Sequence, residues 1–377
     1  MPALLQDIDP DGLLEYSVVF TDRSLNHMSK SFQTVMNDLS GMLKDVYNAS
    51  GVALIPGGGT FGMEAVARQF ATGKQAMIVR NGWFSYRWTQ IFEACDMPAA
   101  STVIKAERSL ENTQAPFLPT PIETLVERIQ TEKPDVVFAP HVETSAGMML
   151  PDSYIKAAAD AVHQHGGLFV LDCIASGTIW IDMAACGVDV LVSAPQKGWS
   201  SSPAAGIVMM SDRALNTLSE TKSTSFACDL KKWHDIMLAY ENGGHAYHAT
   251  MPTDALKRFR DIMLETKAFG FAQAKANQIE LGTRIRGILV DHGFKSVAGE
   301  GFQAPCVIVS YTDDPAIQNG SKFAQHGMQI AAGVPLMCDE GEDYMSFRIG
   351  LFGLDKLKDV DGAVERFENV ITKVVAD

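Results

Sequence analysis

Two ionisable residues of this chain stand next to apolar runs and could take part in one reaction. Asp172 directly follows the apolar run from Leu168 to Leu171. Lys197 comes shortly after the next such run, Val188 to Val192. A lysine can hold an aldehyde cofactor covalently, and a carboxylate can keep the cofactor's ring nitrogen protonated, so that the ring accepts electrons. The pair therefore indicates pyridoxal phosphate (PLP) chemistry, whereas Lys197 taken alone would be an ordinary loop lysine.

A glycine-rich turn precedes both residues and could hold an anion. The stretch Pro56-Gly57-Gly58-Gly59-Thr60 lies between an apolar run and a helical pattern. Glycines let the backbone approach a ligand closely, and a helix N-terminus offers unpaired N–H groups to a phosphate. A purely structural tight turn is the alternative. Together with Gly62, the turn also satisfies the Gly-x-Gly-x-x-Gly pattern, so a nicotinamide-dependent oxidoreductase is a rival, although the next strand lacks the acid of such sites.

The elements that must position these residues alternate along the chain. Between about residues 50 and 210, short apolar runs typical of buried strands alternate with amphipathic segments typical of helices. This alternation predicts an α/β fold with a mostly parallel central sheet covered by helices, on which ligands bind at the carboxyl ends of the strands. The predicted strands are Val52–Ile55, Gln75–Val79, Val136–Ala139, Leu168–Leu171, Val188–Val192 and Gly206–Met210, and the predicted helices include Gly62–Ala71, Ile122–Gln130 and Ser153–His165.

The C-terminal third predicts a second, smaller region. One long helical stretch, Thr253 to His292, leads to an α+β pattern with strands near Cys306–Tyr311 and Tyr344–Ile349 and helices near Ser321–His326 and Val360–Val375. We therefore predict three parts, which are an N-terminal extension at residues 1–17, a large PLP-binding domain at 18–265 and a small C-terminal α+β domain at 266–377.

The composition excludes several classes of protein. The chain has 377 residues, of which 46% are hydrophobic and 20% charged, and its formal net charge is -14. This balance is typical of a soluble globular protein and argues against nucleic acid or an anionic membrane surface as the partner. The N-terminus lacks the pattern of a signal peptide, and no apolar run reaches the length of a membrane span. Six scattered cysteines predict free thiols, and we expect a cytoplasmic protein without a metal site.

Several segments, in the same order, resemble one known family. Asp172-Cys173-Ile174-Ala175-Ser176 and Ser193-Ala194-Pro195-Gln196-Lys197 resemble the class V aminotransferases, in the branch that includes alanine–glyoxylate, serine–pyruvate and 2-aminoethylphosphonate–pyruvate aminotransferases. The resemblance extends over about residues 50 to 355. It implies PLP fold type I, PLP as the cofactor and a homodimeric enzyme.

The resemblance also implies roles for individual residues. Lys197 would form the Schiff base with PLP, and Asp172 would pair with its pyridinium nitrogen. Arg348, within Ser346-Phe347-Arg348-Ile349-Gly350, would grip the substrate α-carboxylate with its guanidinium fork, and a sheet-edge salt bridge is the alternative. The other residues implied to contact PLP are Gly58, Gly59 and Thr60 at the phosphate, Phe84 on the ring face, Thr144 or else Ser145 at the polar ring atoms, and Gln196 beside the lysine.

One further segment implies a contact between subunits. Tyr247-His248-Ala249-Thr250 resembles a Tyr-His-x-Thr loop of the family that reaches the phosphate bound in the neighbouring subunit. Tyr247 and Thr250 would therefore act across the interface of a homodimer. The segment Val18–His27, by contrast, lacks the Pro-Gly-Pro turn that usually lines the family's substrate pocket. Arg23 or His27 in it could meet a distal anionic group of a substrate, with an exposed loop charge as the alternative.

The implied activity moves an amino group from a small amino acid of the alanine, serine or aspartate type to a 2-oxo acid such as glyoxylate or pyruvate, with ping-pong kinetics. One alternative is an aminotransferase for an aminophosphonate or another non-α amine with pyruvate. A second is a PLP lyase or cysteine desulfurase on the same fold. Cys338 would be the nucleophile of a desulfurase, but Gln196 stands where desulfurases usually carry histidine, and the acids after Cys338 would raise its pKa.

Overall fold

The structure is a computed structural model that describes residues 7–377. Its strands are β1 (Gly51–Pro56), β2 (Gln75–Arg80), β3 (Ala100–Lys105), β4 (Glu107–Arg108), β5 (Phe117–Leu118), β6 (Val136–Pro140), β7 (Val142–Glu143), β8 (Met148–Met149), β9 (Leu168–Asp172), β10 (Val190–Ser193), β11 (Ala205–Met210), β12 (Val307–Tyr311), β13 (Ala331–Ala332) and β14 (Ser346–Gly350). Its helices are α1 (Lys30–Tyr47), α2 (Gly59–Phe70), α3 (Trp83–Cys95), α4 (Ile122–Glu132), α5 (Asp152–His163), α6 (Met183–Cys186), α7 (Asp212–Glu220), α8 (Leu230–Glu241), α9 (Thr253–Phe269), α10 (Phe271–Asp291), α11 (Pro315–Gln318), α12 (Ser321–Gln325), α13 (Leu354–Lys358) and α14 (Val360–Ala376).

A seven-stranded sheet organises the larger part of the chain, in the order β1-β11-β10-β9-β6-β2-β3. Strand β11 runs antiparallel to its neighbours β1 and β10, and the other neighbouring pairs are parallel. Every residue of β6, β9, β10 and β11 is buried, and helices α2, α3, α5 and α8 pack against the sheet. The predicted α/β class with a mostly parallel central sheet is confirmed.

The six predicted strands of this sheet are present, with ends that differ by at most two residues. Strand β3, at the edge of the sheet beyond β2, is missing from the prediction. It reads Ala-Ser-Thr-Val-Ile-Lys, and only Ile104 in it is buried. An edge strand needs no continuous apolar run, so the signal that predicts the central strands is weak here.

The long helical stretch is two helices rather than one. Helix α9 ends at Phe269 and α10 starts at Phe271, with Gly270 between them at a φ of 102°. Residues with a side chain rarely adopt this conformation, so glycine permits the break. The prediction of one helix from Thr253 to His292 is therefore wrong at this position.

The C-terminal region has a sheet and a core of its own. Strands β12, β14 and β13 form a three-stranded antiparallel sheet, against which α10 packs. The cluster of buried side chains between these elements, separate from the cluster around the central sheet, includes Ala274, Leu281, Ile285, Phe323, Phe347, Phe367 and Ile371. The region is α+β, as predicted. The division at residues 17/18 and 265/266 stays a prediction.

The cysteines of the chain are all free, and five of the six are buried. Among residues 7–377, no helix combines the length and the apolar composition that crossing a membrane requires. In the same part of the chain, no three histidine, cysteine or carboxylate side chains lie together as a metal site would need.

Candidate active site

A cavity of about 200 Å³ opens at the carboxyl ends of the parallel strands. Five strands lead into it: β1 through the glycine turn, β2 through the start of α3, β6 through the turn after β7, β9 through its last residue and β10 through the turn that follows it. Ligands of open α/β sheets bind at this edge. The lining residues are Gly59, Thr60, Met63, Phe84, Arg87, Val142, Thr144, Asp172, Ile174, Ala175, Gln196 and Lys197.

Two glycines of the Gly-x-Gly-x-x-Gly pattern have structural functions. Gly57 has a φ of 125°, which favours glycine. Gly62 packs against Gly206 of β11, since a Cβ on Gly62 would lie 3.2 Å from the Gly206 Cα atom. The turn and the close packing of α2 on the sheet therefore account for these two positions.

Gly58 and Gly59 form the open start of α2. No side chain within the described residues caps this helix end. A Cβ on Gly59 would lie 2.5 Å from Ile174 Cδ1, so a larger residue would also displace the cavity wall. The first-turn N–H groups from Gly58 to Thr60 are thus available to an anion.

Asp172, the last residue of β9, has only 7% of its surface exposed. Its neighbours in the sheet are Pro140 of β6 and Val192 of β10. Within the described residues, one of its oxygens accepts a hydrogen bond, from the Ile174 N–H to Oδ1 at 2.9 Å. Burial, reinforced by the negative charge of Glu143, raises the pKa of this carboxyl group to about 7. A cation placed next to Asp172 would therefore supply a missing counter-charge.

Lys197 lies in the same cavity as Asp172, in the turn after β10. Its Nζ is 5.1 Å from the centroid of the Phe352 ring. Burial lowers the pKa of Lys197, and the positive charges of Arg348 and Arg87 lower it further, while the charge of Asp172 opposes them. A lysine with a lowered pKa is more readily neutral, and a neutral amine can act as a nucleophile and a base.

The turn that carries Lys197 is held from behind by aromatic packing. Trp199 is buried, and its ring centroid lies 4.5 Å from that of Trp180 and 6.3 Å from that of Tyr47. The Ser200 N–H donates to the Lys197 carbonyl oxygen at 3.0 Å. Since large aromatic rings bury much apolar surface, this packing fixes the backbone immediately after the lysine.

Gly198, between Lys197 and this packing, leaves no space for a side chain. A Cβ at this position would lie 1.8 Å from the Gly177 carbonyl oxygen. We expect Gly198→Ala to lower the free energy of unfolding by about 1–3 kcal/mol, because backbone must move to relieve the clash. The control is Gly41→Ala within α1, where a Cβ meets nothing within 4 Å. Urea denaturation should show a loss for Gly198→Ala alone, and equal stability of the two variants would contradict the prediction.

A buried carboxylate, Glu143, organises the start of α3. It accepts hydrogen bonds from the N–H groups of Phe84 at 3.1 Å and Ser85 at 2.9 Å, which have no partners within the helix. These contacts hold Phe84 against the cavity. The sequence predicts no role for Glu143, because the contact joins segments that are 59 residues apart.

The two hydroxyl residues after Glu143 have different surroundings. Ser145 is fully buried, and its Oγ donates to Glu143 Oε1 at 2.7 Å and accepts from the Trp83 N–H at 2.9 Å. Thr144 lines the cavity. Of these two candidates, Thr144 is therefore the one that a ligand in the cavity can reach.

Arg87, one helical turn after Phe84, also lines the cavity and has no predicted role. Its guanidinium carbon lies 5.3 Å from the Phe84 ring centroid, and its Nη1 donates to Thr60 Oγ1 at 3.2 Å. A signal for it exists in the sequence, because residues three apart on a helix share a face. Phe84 is the predicted cavity residue, so Arg87 could have been inferred from it.

Arg348, in the middle of β14, approaches the cavity from the C-terminal region. Its Nε donates to the Ala332 carbonyl oxygen at 2.8 Å, and its guanidinium carbon lies 5.5 Å from the Phe84 ring centroid. Burial lowers the pKa of Arg348, while the charge of Glu143 opposes that shift. Among residues 7–377, no carboxylate oxygen lies within 4 Å of its guanidinium nitrogens. The salt bridge considered as the alternative is therefore not found.

The remaining predicted residues lie in two places. Gln196 lines the cavity, and its Oε1 atom is buried without a hydrogen-bond partner in the described part of the chain. Tyr247 and Thr250 are not among the residues that line the cavity of their own chain. Tyr247 is 54% exposed, and its hydroxyl oxygen lies 3.1 Å from Thr250 Oγ1.

The fold and the cavity together define a class of protein. A lysine, a buried aspartate and an open helix start at the carboxyl edge of a mostly parallel sheet are the parts of a PLP-dependent enzyme. The sequence profile of the class V aminotransferases matches residues 13–333 of this chain. The chain therefore belongs to the class V aminotransferase family.

Individual relatives agree with this assignment. The chain is 26% identical over 327 residues to the 2-aminoethylphosphonate–pyruvate transaminase of Vibrio vulnificus, with 83% of this chain and 82% of the relative covered. It is 26% identical over 258 residues to alanine–glyoxylate aminotransferase 1 of Saccharomyces cerevisiae, with 64% of each chain covered. The crystal structure of an alanine–glyoxylate aminotransferase from Nostoc sp. has the same fold, with a TM-score of 0.76 at 20% identity, covering 92% of this chain and 88% of that one.

Membership in this family makes the protein a PLP-dependent transferase and implies PLP as its cofactor. The residues present fit that group. The open start of α2 suits a phosphate. Within residues 7–377, Gln196 Oε1 has no hydrogen-bond partner and the Asp172 carboxyl group, bonded to the Ile174 N–H, has no paired cation, and a cationic, hydrogen-bonding ligand would supply both.

Proposed function

We propose that this protein transfers an amino group from a small amino acid, of the alanine, serine or aspartate type, to a 2-oxo acid such as glyoxylate or pyruvate. The observation that carries the proposal is that Lys197 and Asp172 line one cavity together with the start of α2. Relatives named as alanine–glyoxylate and 2-aminoethylphosphonate–pyruvate aminotransferases support a small oxo acid as the acceptor.

Lys197 is the residue that moves the proton in this proposal. PLP, when bound, supplies a ring that accepts electrons from the substrate's α-carbon. Lys197 would hold the cofactor covalently until an incoming amine displaces it. Its Nζ, whose pKa is lowered by burial and by the charge of Arg348, would be the base that takes the substrate's α-proton and gives it back. The amino donor would leave as a 2-oxo acid before the second oxo acid binds, which gives ping-pong kinetics.

Asp172 and Arg348 would orient the reactants. The carboxylate of Asp172 would keep the ring nitrogen protonated, and its own buried charge would then be paired. Arg348 uses Nε to bind the Ala332 carbonyl group, which leaves its two terminal nitrogens for the substrate carboxylate. Phe84, with Arg348 near its ring, supplies an apolar surface for stacking.

The proposed assembly is a homodimer in which Tyr247 and Thr250 reach the phosphate bound by the other subunit. Its support is the exposure of Tyr247 and the position of both residues outside their own cavity. Thr60, Thr144 and Gln196 would complete the contacts to the cofactor from within the chain. Sedimentation velocity of wild type and Tyr247→Phe, each with PLP affinity measured, tests this arrangement.

The desulfurase alternative conflicts with the surroundings of Cys338. The thiol is buried and donates to the Arg80 carbonyl oxygen at 3.4 Å, and burial raises its pKa to about 12. A nucleophilic cysteine needs an accessible thiol with a lowered pKa. We expect Cys338→Ala to keep aminotransferase activity within about twofold of wild type and neither protein to release sulfide from cysteine. Sulfide release that Cys338→Ala abolishes would instead establish the desulfurase.

A half-reaction screen tests the proposed function and its substrate range. Single amines, including alanine, serine, aspartate and 2-aminoethylphosphonate, are mixed with the holoenzyme while the visible absorbance of bound PLP is followed. Glyoxylate and pyruvate are then added to restore it. Loss and recovery with a small α-amino acid support the proposal. A response to the aminophosphonate alone would favour the alternative amine donor, and no response to any amine would contradict aminotransferase activity.

A further inference from the structure

We propose that Arg87 is the cationic residue that binds the phosphate group of the cofactor. The inference rests on the proposed function and deepens it, because it assigns a role to a cation of the cavity that has none in the reaction described above. Position, available hydrogen-bond donors and charge balance each support it.

The position of Arg87 is fixed by two neighbours. Its guanidinium carbon lies 5.3 Å from the Phe84 ring centroid, and the Glu143 contacts hold that end of α3 in place. Nη1 donates to Thr60 Oγ1 at 3.2 Å. Thr60 is in the first turn of α2, next to the free N–H groups of Gly58 and Gly59, so the guanidinium group lies at the end of the cavity where an anion would bind.

Most of the donors of Arg87 remain available. A guanidinium group has five N–H donors. Within the described residues, Arg87 donates one hydrogen bond, to Thr60. In residues 7–377, no carboxylate lies within 4 Å of it, whereas exposed arginines such as Arg128 pair with a glutamate. A guanidinium fork that lacks an anion is suited to bind a phosphate through parallel hydrogen bonds.

The charge balance of the cavity also requires a cation at this end. A phosphate monoester carries a charge of about -1.5 to -2 at neutral pH. The start of a helix contributes about +0.5, and the other predicted phosphate contacts are neutral amide or hydroxyl groups. Lys197 must lose its charge to react, and the lowered pKa of Lys197 favours that loss. Arg87 is the remaining cation among the residues that line the described cavity.

The test compares PLP with pyridoxal, which lacks the phosphate group. Apo-protein of wild type, Arg87→Gln and Arg87→Lys is titrated with each compound, and the dissociation constants are measured by equilibrium dialysis. We expect Arg87→Gln to weaken PLP binding about ten- to a hundredfold and to change pyridoxal binding by less than about twofold. Arg87→Lys keeps the charge without the fork and should restore part of the PLP affinity.

Arg128→Gln is the matched control. Arg128 lies on α4, pairs with Glu132 and does not line this cavity. Its variant should bind PLP and pyridoxal as the wild type does. Unchanged pyridoxal binding by Arg87→Gln also shows that this variant is folded.

Two results would overturn the inference. Equal weakening of PLP and pyridoxal would mean that Arg87 only maintains the shape of the cavity. Unchanged affinity for both, together with a raised KM for aspartate relative to alanine, would assign Arg87 to the substrate instead. A wild-type protein that binds no PLP would contradict the proposed function itself, so the two failures are distinguishable.

Discussion

Lys197→Ala is expected to abolish both aminotransferase activity and the visible absorbance of covalently bound PLP. The substitution removes the one lysine that lines the cavity within the described residues. In the proposed reaction it deletes both the attachment point of the cofactor and the base that would take the α-proton. Loss of a general base alone costs about 10²- to 10⁴-fold in rate, so the combined loss should reach at least that range. The absorption spectrum and the turnover of alanine with glyoxylate are the two measurements.

A control and a rescue separate chemistry from damage to the fold. Lys156→Ala removes an exposed lysine on α5 that pairs with Asp160, and it should leave activity and spectrum unchanged. A small primary amine added to Lys197→Ala should restore part of the proton transfer, because a base of similar kind can then enter the space left by the lysine. Wild-type turnover by Lys197→Ala would refute the assignment of this lysine.

Asp172→Asn should have the second largest effect. The substitution keeps the shape of the side chain and removes the charge that would face the ring nitrogen. Breaking a buried ion pair on one side costs about 3–5 kcal/mol, which corresponds to about a 10²- to 10⁴-fold decrease in kcat or in PLP affinity. Steady-state kinetics and PLP titration would show it, with Asp160→Asn on the exposed face of α5 as the control. Normal kinetics would mean that another acid pairs with the ring.

The same substitution should change how the stability of the apo-protein depends on pH. Because burial raises the pKa of Asp172 from 3.8 to about 7, the folded apo-protein holds this proton more tightly than the unfolded chain. The stability that this residue contributes is therefore fully present below pH 3.8 and is lost as the pH rises towards 7, by up to about 4 kcal/mol. Asp172→Asn should become more stable than wild type as the pH rises through this window in urea denaturation of the apo-proteins. Parallel pH profiles would contradict the raised pKa.

The sequence predicts those features that depend on local pattern and order. The central strands are continuous apolar runs, and Asp172 and Lys197 follow two of them, so the parallel sheet brings both to one edge. β3 escapes prediction because an edge strand with mixed polarity lacks this pattern. The break at Gly270 is also hard to predict, because a single glycine inside a helical pattern is often tolerated.

Site residues that depend on contacts between distant segments are not predictable in the same way. Glu143 accepts a hydrogen bond from the Phe84 N–H at the start of α3, 59 residues earlier in the chain. The hydrogen bond of Arg87 to Thr60 likewise joins two elements, although the place of Arg87 on the cavity face of α3 follows from its spacing to Phe84. Phe352 approaches Lys197 from the C-terminal region. Sequence spacing carries no information about such pairs until the fold is known.

The pair of adjacent, tilted indole rings behind Lys197 has a practical consequence. Trp199 is two residues from the lysine, and its ring is 4.5 Å from that of Trp180. Bound PLP absorbs light in the range in which buried tryptophan emits, so excitation energy should pass from these rings to the cofactor. A change in tryptophan emission is therefore the expected signal of cofactor binding, and substitution of Trp180 by phenylalanine would show how much of that signal arises from this pair.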